Sequence, residues 1–367
     1  LNSDPKAPSL VAVPMAQRTL GSRVAIAVLF AALLLLPLLV KNSSHLNVLI
    51  LILLAAQLGV AWNIVGGYAG QISLGHAAFF GIGAYTSTML LVHWGISPWI
   101  GGPIGGVFAA LVSLVVGWSC FRLKGHYFAM ATIAVAEIVQ VVFANWEFVG
   151  ASVGLTIPMD KTGVGIMIFD GRMPYYYLAL GLLGITLLVN LVIEKSFVGY
   201  YLRAIKDEPD AAQSLGVNLA RYKQLALAVS SFLAAQGGTL YAQKELYIDP
   251  ASVLNTSLSI KMALVSILGG AGTLFGPLVG AAVLTLIEEG SRMAFGGSGR
   301  GTDLIIYAIL IIGIAVYYPV GILGWFAQRK ERRRGRAARA AQVDHEASAA
   351  GLEQTSVFAE HGKDHQS

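Results

Sequence analysis

The feature that most limits what this chain can fold into is a succession of nearly pure apolar stretches, each about twenty residues long, recurring from Val24 to Phe326. A helix rises about 1.5 Å per residue, so each stretch matches a bilayer core about 30 Å thick. With 56% hydrophobic and 12% charged residues, against roughly a quarter charged in soluble domains, the chain could not cover its apolar surface in water. No long polar stretch divides the runs, so they read as one all-α polytopic membrane domain. Most of the 42 glycines lie inside apolar runs, where small residues let helix backbones approach closely in lipid.

The spacing predicts spans over 24–40, 46–65, 72–92, 99–121, 126–145, 175–193, 223–243 and 303–326. Shorter runs at 257–268 and 273–287 read either as two tilted spans or as one re-entrant hairpin. The bundle then has about eight full transmembrane helices plus this short pair. No small-residue cleavage site follows the first run, so it is expected to remain as the first span. Orientation follows from basic residues, which concentrate in cytoplasmic loops. Arg18 and Arg23, then Arg122 and Lys124, then Lys195, Arg203, Lys206, Arg221 and Lys223 fall on one face. Both termini are therefore expected in the cytoplasm of a bacterial cell, with the chain multi-pass in its inner membrane. Residues 1–23 form a cytoplasmic segment, 24–326 the transmembrane domain with a cytoplasmic loop at 194–222, and 327–367 a basic tail expected to be disordered. The net charge of +5 is explained by these loops and the tail, so no nucleic-acid partner is implied. On the opposite face the longest loop, 146–174, has Trp146 and Tyr175 to Tyr177 at its edges, suited to a headgroup belt. The single Cys120 excludes an intrachain disulfide and has no companions for a zinc site. No metal-ligand spacing and no nucleophile–base pair stands out, so no catalytic residue is assigned.

Three stretches carry more information. In NIVGGYAGQISLGHAAFFGIGAY, residues 63–85, glycines including Gly66 and Gly70 recur while Gln71, Ser73 and His76 interrupt the apolar run. Irregular backbone at membrane depth is tolerated where it is buried in protein or lines a cavity. The stretch therefore reads as helix packing or as part of a solute pathway. In GYYLRAIKDEPDAAQSLGVNLARYK, residues 199–223, Asp207 or Glu208 can cap a helix of about two turns that has Pro209 in its first turn and ends at Gly216. Ala211, Ala212 and Leu215 then fall on one side as an apolar knob fit for a groove in a partner, or the helix lies on lipid. In ILGGAGTLFGPLVGA, residues 267–281, Gly272, Gly276 and Gly280 repeat every four residues as a packing stripe, with Pro277 marking a kink or a helix start. GxxxG pairs at Gly101/Gly105 and Gly102/Gly106 extend the same theme.

Ionisable residues inside spans are costly and face protein or water. Glu137 is the leading such residue, with Thr132 and Gln140 about one turn away, read either as a pathway group or as a hydrogen-bonding partner of a neighbouring helix. Lys261 is expected to snorkel to the outer surface, and Glu288 and Glu289 to mark a span end.

These stretches, together with HYFAMATIAVAEI at 126–138, resemble in order and spacing the permease subunits of branched-chain amino acid ATP-binding cassette importers, of the LivM type, from about residue 46 to about residue 326. The resemblance implies alternating access through a pair of homologous permeases. It also implies two cytoplasmic ATP-binding subunits and a periplasmic or secreted solute-binding protein as partners, with the 207–216 helix entering an ATPase groove. No cofactor is expected on this chain: no G-x-x-x-x-G-K-[ST] loop occurs in the sequence, so ATP hydrolysis is expected on the partner subunits. Relatives of this group also handle urea, short amides and other small solutes. A carrier working alone, with Glu137 and His76 as ion sites, is the reading from a different class.

Overall fold

The computed structural model describes residues 33–40, 42–123, 125–158 and 162–295, with isolated positions between 308 and 322. Most of the predicted first span, the 303–326 span and both terminal segments lie outside the described residues. Six helical stretches among those described are long and apolar enough to cross a membrane: Ser43–Tyr68, Pro98–Cys120, His126–Asn145, Met173–Lys195, Leu219–Glu245 and Pro250–Gly270.

In chain order the helices are α1 (Ser43–Asn63), continued by a π-helical turn (Ile64–Tyr68), then α2 (His76–Trp94), α3 (Pro98–Cys120) and α4 (His126–Asn145). After the 146–172 connection come α5 (Met173–Lys195), α6 (Phe197–Asp207), α7 (Pro209–Ser214) and α8 (Leu219–Glu245), then the single-turn α9 (Pro250–Val253), α10 (Thr256–Gly270) and α11 (Gly276–Phe295). The bundle therefore has two ends: one carries α6 and α7, the other the 146–172 connection. The 257–287 region, left open between two spans and a hairpin, consists of two packed helices joined by a tight turn at 271–275. Lys261 bridges from α10 to Glu288 on α11, so the two charges compensate each other where both are partly buried.

Glycine sets the spacing at the centre. On α3, Gly101 and Gly105 face Ser87 and Gly83 of α2, while Gly102 and Gly106 face Thr239, Gln236 and Phe232 of α8. One helix thus packs two neighbours through two interleaved GxxxG pairs. A Cβ at Gly83 would overlap the backbone of Ala235, and one at Gly238 the carbonyl of Phe80, so α2 and α8 touch backbone to backbone. Gly66 lies against the Trp62 ring. Gly276 and Gly280 face the backbone of α10 at Gly270, Gly269 and Val265. Gly272 does not continue that stripe as the four-residue spacing suggested: it sits in the turn at φ +86°, and the helix starts only at Gly276, with Pro277 in its first turn.

At the other end, Leu155 and Thr156 (β1) pair antiparallel with Ile248 and Tyr247 (β2). The Tyr247 hydroxyl donates to the Val153 carbonyl (2.8 Å), and the Trp99 indole N–H donates to the Val164 carbonyl (2.7 Å). The connection is tied to α3 and to the segment after α8.

Candidate functional site

The predicted 72–92 span begins only at His76. Between the π-turn and α2, residues 69–75 are non-helical, with Gly70 at φ +67°, and their exposed backbone groups need partners. Side chains supply them. The Trp62 indole donates to the Ser73 carbonyl (2.7 Å), the Leu74 N–H to Thr132 Oγ1 (3.0 Å) and the Ala77 N–H to Ser259 Oγ (2.7 Å). His76 is fully buried, with Nδ1 3.0 Å from Ser73 Oγ and Nε2 2.8 Å from Ser230 Oγ. The Ser230 hydroxyl proton goes to the Ala61 carbonyl (2.7 Å), so Ser230 accepts from His76 Nε2–H and Nδ1 accepts from Ser73. Ser73, His76 and Ser230 therefore form one buried network, and the buried Thr132 separately holds the Leu74 N–H, so that both fix the break in place. Gln71, by contrast, is half exposed and lines a cleft of about 620 Å³ together with Arg122, Pro209, Asp210 and Gln213.

The α6–α7 end abuts this break. What the sequence presented as a loop contains an amphipathic helix, α6, which buries Gly199, Leu202 and Ile205. From its last turn Lys206 donates to the Gly67 carbonyl (2.9 Å), putting a cation on the C-terminal end of the π-turn. The Gly272 N–H donates to Asn63 Oδ1 (2.8 Å) while Asn63 Nδ2 donates to the Thr273 carbonyl (2.9 Å). The end of α1, the α10–α11 turn and α6 thus meet at one junction, through polar contacts that sequence spacing could not pair.

Helix α7 follows directly. Asp207 ends α6, and Glu208 stands at the N-cap without a capping side-chain bond. The Val217 N–H donates to the Ala212 carbonyl (3.1 Å) and the Gly216 N–H to Gln213 (2.9 Å), with Gly216 at φ +88°. This is a Schellman stop. The apolar knob is reshaped: Ala212 is turned inward and only 4% exposed, while Ala211 is exposed and Leu215, at 86%, projects furthest.

Glu137 does not face the interior of this chain. Helix α4 buries the narrow stripe Phe128, Thr132 and Ala136, and Glu137 lies just off it on the exposed face, accepting a hydrogen bond from Thr256 Oγ1 (2.5 Å) at the start of α10. Tyr127, Met130, Ile138 and Val141 of α4 and Ile260 of α10 are also exposed. A carboxylate partway along such a surface is expensive against lipid, so the face calls for protein or water opposite it.

Comparison with known proteins gives the chain a family. No solved structure matches the chain. LivM of Escherichia coli K12, a high-affinity branched-chain amino acid transport system permease protein, is 28% identical over 72% of this chain and 67% of its own length. LivH of Salmonella typhimurium LT2, from the same kind of transport system, is 24% identical over 73% of this chain and 91% of its own. A probable branched-chain amino acid transport permease protein LivH of Methanocaldococcus jannaschii is 27% identical over 66% of this chain. The profile described as "Branched-chain amino acid transport system / permease component" matches residues 44–314, and the chain belongs to that family.

Proposed function

We propose that this chain is one of two related permeases forming the membrane core of an ATP-driven importer for branched-chain or closely related amino acids. The observation that carries the reading is α7: a charge-rimmed short helix ended by a Schellman stop, whose Leu215 and Ala211 stand clear of the bundle at the end where basic residues cluster. In this reading that end is cytoplasmic and α7 seats in a groove of a separate ATPase subunit. Movement of α7 passes through α6 and Lys206 to the junction of Gly67, Asn63 and Gly272, shifting the broken α1–α2 and α10–α11 elements together. The exposed α4–α10 face with Glu137 and Thr256 packs on the second permease, and the pathway runs between them. The 146–172 connection with its β1–β2 clasp offers the docking surface for a solute-binding protein on the other side.

The test is Leu215→Asp in the assembled importer. Uptake should be lost and ATP hydrolysis should stop responding to the loaded binding protein, while insertion and Tm of the chain stay unchanged. Normal uptake would reject α7 as the coupling element. Gradient-driven uptake by the purified chain reconstituted alone would instead support a self-sufficient carrier.

A further inference from the structure

The exposed face of α3 is apolar over most of its length: Ile104, Phe108, Leu111, Val115 and Trp118 all lie on it. Trp99 and Trp118 stand nineteen positions apart, about 28 Å along a helix, close to the thickness of a bilayer core. Indoles favour the two membrane–water boundaries, which puts Trp118, in the last turn of α3, at the boundary on the α7 end. There a groove of about 770 Å³ opens between the end of α3 and the start of α8. Leu114, Val115 and Trp118 give it an apolar lining, and Arg122 and Arg221 line it with positive charge. The Arg122 guanidinium lies 4.6 Å from the centre of the Trp118 ring. Among the described residues neither arginine has a carboxylate within ion-pair distance.

We propose that this groove binds an anionic phospholipid, with its phosphate between Arg122 and Arg221 and an acyl chain along Leu114, Val115 and Trp118. Two cations lining one apolar groove at the end of a membrane-length helix match the charge and the amphipathic character of such a lipid, and a zwitterionic headgroup gains far less from them. Phe121, Arg122, Asn218 and Ala220 line both this groove and the cleft that borders α7. The bound lipid therefore braces the connection from α7 into α8 and makes the position of α7 sensitive to membrane composition. The inference needs the chain to span a membrane but does not depend on the cargo or on the ATPase.

The full chain in nanodiscs, titrated with brominated phosphatidylglycerol or brominated phosphatidylcholine, reads the site through quenching of Trp118. The Trp118 signal is the difference between the unmodified chain and Trp118→Phe. Phosphatidylglycerol should quench it with about tenfold higher apparent affinity, in a salt-sensitive way. In the Arg122→Gln/Arg221→Gln variant that preference should vanish while quenching by phosphatidylcholine persists, showing that Trp118 still meets lipid. Equal quenching by both lipids in the unmodified chain, a preference retained in the double variant, or no quenching by either lipid would each overturn the proposal.

Discussion

Glu137 and Thr256 pair a carboxylate with a hydroxyl on a face that is otherwise apolar, and that pairing makes separate predictions for the isolated chain and for the importer. Glu137→Leu extends the apolar surface, so Tm of the purified chain should hold or rise. Uptake by the assembled importer should nevertheless fall by at least about tenfold, equivalent to about 1.4 kcal/mol; unchanged uptake would remove Glu137 from the pathway. His76 behaves oppositely, because its ring joins Ser73 to Ser230 inside the bundle. His76→Ala removes one partner of each, so the chain should lose about 1–3 kcal/mol of stability, visible as a lower Tm, while transport per folded molecule is retained. Both residues were legible in the sequence as polar interruptions of apolar runs. Which of them is sealed inside and which lies outside was not, because that depends on contacts with Ser230 and Thr256, each more than a hundred residues away. The Lys261–Glu288 bridge was missed for the same reason: charge in an apolar run is visible, its partner on another helix is not.

At the scale of elements, α6 and α7 act as a lever only if their ends are fixed. Lys206→Met keeps the stem of the side chain but removes its donation to the Gly67 carbonyl. ATPase activity of the assembled importer should continue with weakened transport per ATP, and full coupling in this variant would contradict the relay. Ala212 is a poor probe of the same idea, since it is buried and Ala212→Asp would place a carboxylate inside the fold. The limits of α7 could be read from Pro209 and Gly216, because both residues act locally on backbone angles. Its orientation could not: six residues of helix have no long periodic pattern, and packing against α6 and α8 decides which side turns inward. The α1–α2 break was legible as glycine and polar residues inside a span. The side chains from α1, α4 and α10 that satisfy its backbone come from places no local reading connects.

For the whole molecule, membrane class and most helix limits follow from apolar length alone, because a spanning helix is specified by about twenty local residues. The β1–β2 clasp was invisible, since it joins Leu155 to Ile248 across four intervening helices through a pairing only two residues long. In the proposed function the α7 end faces the cytoplasm and contacts an ATPase there. The most direct test of that contact places a photo-crosslinking amino acid at position 215, in cells that produce the whole importer. A single covalent adduct with a cytoplasmic ATP-binding subunit is expected, whereas an adduct with a secreted binding protein would put the α7 end on the opposite side of the membrane.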